Sequence, residues 1–266
     1  MMLTTLQRSK FALGAQGYRC GPEQAETVVL LHGVGLALEA WTPQIESLST
    51  NYQVIALDLP GHGNSAALAS GAVLQDYVDW LAAVLAELSD GPVSLAGHSM
   101  GALIALGMAV EHPLFLKRVA LLNGVYQRDA MASEAVLARA QQISTGDTDP
   151  TAPLSRWFDE GEHQGFAYQL TSALLHDANP EGYAAAYHAF ASGDRVYAHR
   201  LDEVICPLLA LTGDGDSNST PEMAQSIAAG VNRGRAVVIE GHRHMLNLTA
   251  PEQVNAALLH WLKEWK

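Results

Sequence analysis

Basic residues are scarce in this chain and never occur in a block. Of its 266 residues only 15 are lysine or arginine, against 28 aspartate or glutamate, and the formal net charge is −13. Binding to nucleic acid depends on clustered positive charge that meets the phosphates. The sequence therefore argues against a nucleic-acid partner. We expect the negative charge to favour solubility and to disfavour anionic substrates mildly at long range.

Cysteine and long apolar runs are also scarce. Cys20 and Cys206 stand far apart and outside any metal-binding motif, so the sequence predicts neither a disulfide framework nor a zinc site. No stretch approaches the roughly 20 apolar residues of a membrane span, and the first residues lack the apolar core of a secretion signal. We therefore expect a cytoplasmic protein with no membrane partner, long enough to bury a sizeable core without covalent or metal staples.

Two patterns alternate along most of the chain. Six short apolar runs are typical of strands in a parallel sheet that is covered on both faces. Segments with apolar residues three or four positions apart, typical of helices, lie between most of them. The alternation predicts a doubly wound, mostly parallel α/β sheet. The runs are residues 28–31, 54–57, 93–96, 119–122, 208–211 and 236–239, and the helical segments are residues 74–88, 100–110, 221–229 and 251–261.

One long stretch interrupts this alternation. From about residue 125 to residue 199 there is no apolar strand run, and polar linkers separate the helix-like segments. We interpret residues 125–199 as an inserted helical cap, and residues 1–124 and 200–266 as the α/β core. The helix-like segments are residues 130–142, 154–158, 166–175 and 183–190.

A Gly-x-Ser-x-Gly sequence at residues 97–101 follows the third apolar run and precedes a helix. In that setting the sequence is typical of a nucleophile elbow, a turn so tight that only small residues fit two positions either side of the serine. The turn exposes the serine hydroxyl at the top of the sheet. Ser99 is therefore the predicted nucleophile, and a plain Gly/Ser turn is the alternative.

A serine hydroxyl needs a base, and the base needs a carboxylate that orients it. His244 follows the last predicted strand, at the sheet edge where Ser99 is expected, and His242 is its rival. Asp214 and Asp216 both follow the preceding strand, and either could orient the histidine. Serine, aspartate and histidine then occur in an order that is known for such triads.

Acyl transfer also needs hydrogen-bond donors for the negative oxygen that develops on the carbonyl. The backbone amide of Met100, directly after the nucleophile, is one predicted donor. The glycine-rich segment 32–35 follows the first apolar run and offers the amide of Val34 as the second. A plain turn is the alternative interpretation of that segment.

The chain resembles the α/β-hydrolase superfamily over essentially its whole length. The resemblance is carried by the glycine-rich segment 32–35, residues 58–65 (Asp-Leu-Pro-Gly-His-Gly-Asn-Ser), the elbow 97–101, Asp216 and His244. In such enzymes the acid usually stands three residues after the glycine that ends its strand, and the histidine seven residues before the proline of the last helix. The resemblance therefore implies Asp216 and His244 as partners of Ser99. Asp214 stays open, because the segment after Asp216 is one residue longer than usual.

The predicted cap is similar to that of 3-oxoadipate enol-lactonase-like hydrolases and carboxylesterases, on residues 156–158 (Arg-Trp-Phe) and 182–185 (Gly-Tyr-Ala-Ala). From this resemblance we expect the substrate pocket to be lined by Trp157 and Phe158 of the cap and by His32 and Gly33 of the core.

A serine at the elbow excludes haloalkane dehalogenases and epoxide hydrolases, which need a carboxylate nucleophile. The resemblance implies hydrolysis of an ester or lactone of a small, partly apolar substrate through an acyl-enzyme, with no cofactor and no metal ion. Carbon–carbon or amide bond hydrolysis by the same triad, and a non-catalytic small-molecule receptor, are the alternatives. The oligomeric state stays open.

Overall fold

The computed structural model describes residues 6–147 and 149–264. Within that part of the chain, eight strands form one sheet. They are β1 (Ser9–Lys10), β2 (Gln16–Cys20), β3 (Thr27–Leu31), β4 (Gln53–Leu57), β5 (Val93–His98), β6 (Leu116–Leu122), β7 (Leu208–Gly213) and β8 (Gly234–Ile239). Their order across the sheet is β1-β2-β4-β3-β5-β6-β7-β8. The pairs β1–β2 and β2–β4 are antiparallel, and all other neighbours are parallel.

Helices connect the strands and cover the sheet. In chain order they are α1 (Thr42–Leu48), α2 (Leu74–Leu88), α3 (Met100–Glu111), α4 (Ala130–Ser144), α5 (Thr151–Trp157), α6 (Phe166–Asp177), α7 (Pro180–Gly193), α8 (Pro221–Gly230), α9 (Leu246–Thr249) and α10 (Pro251–Glu264). Among the helices of the described residues, none has the length and apolarity to cross a membrane.

Successive side chains of a strand point to opposite sides, and helices cover both sides of the central strands β3 to β7, so these strands are buried on both faces. In β3, Val29 and Leu31 pack in the core layer that α2 and α3 complete. Val28 and Leu30 pack in the opposite layer, which α1 and α10 complete. This arrangement explains the continuous apolar runs, and the predicted doubly wound α/β sheet is confirmed.

Three features of the fold differ from the sequence patterns. The patterns do not predict β1 and β2, because these strands are short and β2 alternates glycine, tyrosine and arginine instead of forming an apolar run. They also miss the short helix α1. The strand β8 is mostly exposed, not covered on both faces, because it is the last strand of the sheet and pairs only with β7 in the described residues.

The helices α4 to α7 lie between β6 and β7, and we call residues 130–193 the helical insertion. Side chains of Asp129 and Asn179 accept hydrogen bonds from the first turns of α4 and α7 and fix where these helices begin. An apolar cluster joins Leu154 and Phe158 of the insertion to Met245 and other residues in loops that follow the strands. The division of the chain into a cap (125–199) and a core stays a prediction.

Candidate active site

Ser99 lies in a strained turn between β5 and α3. Its backbone angles are φ 54° and ψ −112°, a region that residues with side chains rarely adopt. The two flanking glycines allow this turn: a Cβ atom on Gly97 would overlap the carbonyl of Gly101, and a Cβ atom on Gly101 would overlap the carbonyl of Leu31. The sequence at 97–101 therefore forms the tight elbow that its spacing predicts, with Ser99 at the wall of a cavity.

His244 and Asp216 meet at the same edge of the sheet. Asp216 follows β7 and His244 follows β8, and both side chains are almost completely buried. The Nδ1 atom of His244 lies 2.8 Å from Oδ2 of Asp216. This contact orients the imidazole, and His244 lines the same cavity as Ser99.

Asp216 accepts three more hydrogen bonds. Its donors are the Ser219 hydroxyl at 2.6 Å, the side-chain amide of Asn123 at 2.8 Å and the backbone amide of Asn218 at 2.8 Å. Burial by itself raises the pKa of Asp216. The charge of His244 and the hydrogen bonds from His244, Ser219 and Asn123 outweigh burial and hold this pKa well below its usual range. The carboxylate is therefore ionised at neutral pH.

The two rival residues of the sequence lie elsewhere. Asp214 is exposed, and its Oδ1 atom accepts a hydrogen bond of 2.8 Å from the backbone amide of Gly241. The Nδ1 atom of His242 lies 2.9 Å from the hydroxyl oxygen of Thr249. Neither residue lines the cavity that Ser99 and His244 share.

The predicted oxyanion donors flank Ser99. The Met100 amide is the first N–H of α3, where it has no partner within the helix, and Val34 lines the cavity. Among the hydrogen bonds of the described residues, neither amide donates to a protein acceptor. A Cβ atom on Gly33 would lie 3.1 Å from Cβ of Ser99, so the loop after β3 passes directly beside the nucleophile. The loop is held there by the Gly35 amide, which donates to Nε2 of His62 at 2.9 Å.

Three buried histidines support the site without reaching the cavity. His98 donates from Nε2 to the backbone carbonyl of His244 at 2.8 Å and so fixes the backbone that carries that imidazole. Burial lowers the pKa of His98 to about 3 and that of His62 to about 4. His32 accepts a hydrogen bond of 2.9 Å from the Leu59 amide and is fully buried. Burial also lowers its pKa, so all three are neutral near pH 7.

The cavity has a volume of about 280 Å³. Of the four predicted pocket residues, its wall includes Trp157, whose ring centroid lies 5.2 Å from that of His244. The other three do not line this cavity. The ring of His32 is occupied by backbone hydrogen bonds, Gly33 lies behind the wall against Ser99, and Phe158 is buried in the cluster below the insertion. A larger cavity of about 590 Å³ elsewhere contains none of the triad candidates.

Several residues at the site were not predicted from the sequence. Asn123 and Ser219 donate hydrogen bonds to Asp216. Three arginines line the cavity: Arg139 and Arg156 of the helical insertion, and Arg128, which precedes it. Asn123 directly follows β6 and has a φ of 50°, so its place at the functional edge of the sheet is the signal that points to it. Among the described residues, no group of three histidine, cysteine or acidic side chains is arranged to hold a metal ion.

Comparisons with known proteins show several relatives of similar length. A protein from Acinetobacter baylyi, (E)-2-((N-methylformamido)methylene)succinate hydrolase, is 50% identical over 240 residues, which cover 90% of this chain and 91% of that protein. A thermophilic esterase from Thermogutta terrifontis, solved with malate bound, superposes with a TM-score of 0.86 at 26% identity over 97% of this chain and 98% of its own.

The enol-lactonase from Burkholderia xenovorans LB400 has the same fold, with a TM-score of 0.85 at 23% identity over 96% of this chain and 99% of its own. Residues 28–257 match the profile of the Alpha/beta hydrolase family. The chain therefore belongs to the alpha/beta hydrolase family, is a hydrolase, and shares its fold with the enol-lactonase.

Proposed function

We propose that this hydrolase cleaves a carboxylic acyl bond through an acyl-enzyme intermediate on Ser99. The observation that carries the proposal is the arrangement of the three side chains. The Nδ1 atom of His244 lies 2.8 Å from the ionised Asp216, and His244 and Ser99 line one cavity. A base held in this way can accept the proton of a serine hydroxyl.

In the first half of the reaction, Nε2 of His244 takes the proton of the Ser99 hydroxyl, and Oγ attacks the substrate carbonyl carbon. The amides of Val34 and Met100 donate to the negative oxygen that forms, and each such donor stabilises the transition state by about 3–4 kcal/mol. The charge of Asp216 stabilises the imidazolium. His244 then gives its proton to the leaving alcohol or amine, which departs as the carbonyl re-forms.

In the second half, His244 takes a proton from water, and the hydroxide adds to the acyl carbon. The bond between the acyl carbon and Oγ of Ser99 then breaks, His244 gives its proton to Oγ, and the carboxylic acid product is released. Because Trp157 lies against the imidazole, it limits the directions from which water and substrate reach His244. The cycle consumes one water molecule and restores the side chains of Ser99 and His244 to their starting protonation.

Ester and lactone carbonyls are our first candidates for the scissile group, as the sequence resemblance implies. The esterase and enol-lactonase neighbours support them. An amide is the second candidate, because the name of the 50% identical relative describes an N-methylformamido group. The same triad serves either leaving group, since His244 protonates an alkoxide or an amine alike.

The reaction class is tested by rapid mixing with p-nitrophenyl acetate. We expect a burst of p-nitrophenol close to one equivalent per protein chain, followed by slower turnover, and no burst from Ser99→Ala. Ser217→Ala is the matched control, because Ser217 lines the same cavity without being placed in the elbow, and it should keep the burst. Turnover that survives in Ser99→Ala would contradict the proposal.

The bond class is tested with matched substrates. An acyclic ester, a lactone and an N-methylformamide of the same acid skeleton are offered separately to the wild-type protein. We expect the ester and the lactone to have the higher kcat/KM. If only the formamide is cleaved, the amide becomes the reaction and the ester proposal is overturned. A protein that labels with a serine-directed fluorophosphonate and cleaves none of them would contradict both.

A further inference from the structure

An almost fully buried arginine forms part of the cavity wall. Arg128 lies between β6 and α4, is 3% exposed, and lines the same cavity as Ser99 and His244. Its Nη1 atom lies 3.1 Å from Oδ1 of Asp194, and its guanidinium carbon lies 4.4 Å from the centroid of the Phe190 ring. These contacts fix the plane of the guanidinium group.

One edge of that guanidinium is left without a partner. The Nη2 atom of Arg128 is buried and makes no hydrogen bond to any described residue. A buried, unpaired donor on a charged group is costly, and native structures usually satisfy such a group. Burial lowers the pKa of Arg128 and the charge of Asp194 opposes this shift, and an arginine stays protonated under both influences. The site therefore presents a fixed cation with free donor capacity.

The charge of the cavity wall is one-sided. Arg139 and Arg156 line it together with Arg128, and the wall contains no aspartate or glutamate among the described residues. Arg139 is paired with Asp147 at 2.9 Å, whereas Arg156 makes no ion pair within the described part of the chain. The charged side chains of the wall are thus basic in a protein of net charge −13, with Asp194 and Asp147 balancing Arg128 and Arg139. These arginines offset, at this wall, the repulsion of anions that we expect at long range.

We propose that Arg128 binds a carboxylate of the substrate, so that the substrate is a small organic acid whose acyl bond is presented to Ser99. This inference rests on the proposed serine-hydrolase function. The planar fork of a guanidinium suits a carboxylate, because its two parallel N–H groups match the two oxygens. Asp194 and Phe190 hold the fork in place, and Nη2 is the donor that remains for the acid.

The kinetic test compares two methyl esters of equal chain length, monomethyl succinate and methyl butyrate. They differ only in a terminal carboxylate, so the ratio of their kcat/KM values reports the recognition of that group. We expect the wild-type protein to prefer monomethyl succinate. In Arg128→Met combined with Asp194→Asn, the ratio should fall about 10- to 100-fold, the value of one hydrogen-bonded charge contact. The double change leaves no carboxylate buried without its partner.

Two further variants guard against misfolding and general charge effects. Arg128→Lys keeps a positive charge beside Asp194 but loses the fork, and its ratio should fall several-fold if the fork binds the acid. Arg19→Met removes one exposed positive charge on β2, outside the cavity wall, and should leave the ratio unchanged. Circular dichroism and fluorophosphonate labelling of Ser99 show whether each variant is folded.

A binding measurement separates this inference from the proposed reaction. Calorimetry should show succinate binding to the wild-type protein, weaker binding to the Arg128→Lys variant, and no binding of the neutral succinamide. Succinate binding without any ester turnover would support Arg128 and contradict the proposed function. Rapid cleavage of both esters, with a ratio near one that no Arg128 variant changes, would overturn the carboxylate site and leave the serine mechanism standing.

Discussion

Replacing Asp216 by asparagine removes the charge opposite His244 while leaving the volume of the side chain nearly unchanged. In the wild-type protein, Oδ2 of Asp216 accepts hydrogen bonds from the side chains of His244, Ser219 and Asn123, and Oδ1 accepts one from the backbone amide of Asn218. An asparagine has one oxygen and one NH₂ group for these four donors. If the NH₂ group faces His244, the imidazole takes the tautomer with a proton on Nε2 and cannot accept the proton of the nucleophile. If the oxygen faces it, the charge that stabilises the imidazolium is lost.

Both outcomes raise the barrier to acyl transfer. The loss of a carboxylate in this role lowers kcat by about 10⁴-fold in a well-studied serine protease, which corresponds to about 5.5 kcal/mol. We expect Asp216→Asn to lower kcat/KM for p-nitrophenyl acetate by about 10³- to 10⁴-fold. Steady-state kinetics, with the folded fraction measured by circular dichroism, check the value.

Asp214→Asn is the matched control, because it makes the same chemical change two residues away. Asp214 is exposed, and an asparagine oxygen there can still accept the hydrogen bond from the Gly241 amide. We expect activity within about twofold of the wild-type value, as for most surface substitutions. If Asp216→Asn keeps more than about a tenth of the activity, or if Asp214→Asn is the inactive variant, the assignment of the acid is refuted.

Three further predictions concern the base, acid stability and the contact of the insertion with the core. His244→Ala should lower kcat/KM at least about 10³-fold, whereas His242→Ala should keep most of it, since its Nδ1 atom contacts a threonine outside the cavity. Equal losses of kcat/KM in the two variants would contradict His244 as the base. The pKa of Asp216 in the folded protein lies below its ordinary 3.8, so its stabilising contribution is complete above that pH and is lost as the pH falls further. Below that pH, the melting temperature should fall more steeply with decreasing pH for the wild-type protein than for Asp216→Asn. Parallel curves of melting temperature against pH would refute the lowered pKa. In Gly182→Ala the new Cβ atom overlaps the backbone carbonyl of Gly61, so the free energy of unfolding should fall by about 1–3 kcal/mol. Gly161→Ala has nothing within 4 Å of its Cβ atom and should have the wild-type melting temperature.

Much of the fold can be predicted from local patterns. The three-and-four spacing of apolar residues predicts a helix over residues 74–88, and α2 has these bounds. The predicted helix over residues 221–229 is α8, and the Thr220 hydroxyl accepts the amide of Met223 where this helix begins. The strand β1 pairs with β2, and β2 cannot be predicted in the same way, because it forms no apolar run and its other partner, β4, lies distant in the chain. Its pairing with β4 is a tertiary effect.

The candidate site likewise combines features that local patterns predict with contacts between residues distant in the chain. Ser99, Asp216 and His244 each follow a recognisable strand, and parallel strands bring their ends to one edge, so a sequence can indicate that these residues meet. Asn123 reaches Asp216 from 93 residues away, and no local pattern reports such a contact. Trp157 is the last residue of α5, and Phe158 follows it with extended backbone angles (φ −132°, ψ 151°). The chain leaves the helix between the two rings, so only the folded structure shows which ring reaches the cavity.

The identity of the nucleophile is tested most directly by peptide mass mapping after reaction with a fluorophosphonate. We predict one added phosphonyl group per chain, on Ser99 in the peptide that contains residues 97–101, none in Ser99→Ala, and much slower addition in Asp216→Asn. The matched Ser217→Ala variant should react at the wild-type rate. A label on another residue, or an unchanged labelling rate in Ser99→Ala, would contradict Ser99 as the nucleophile.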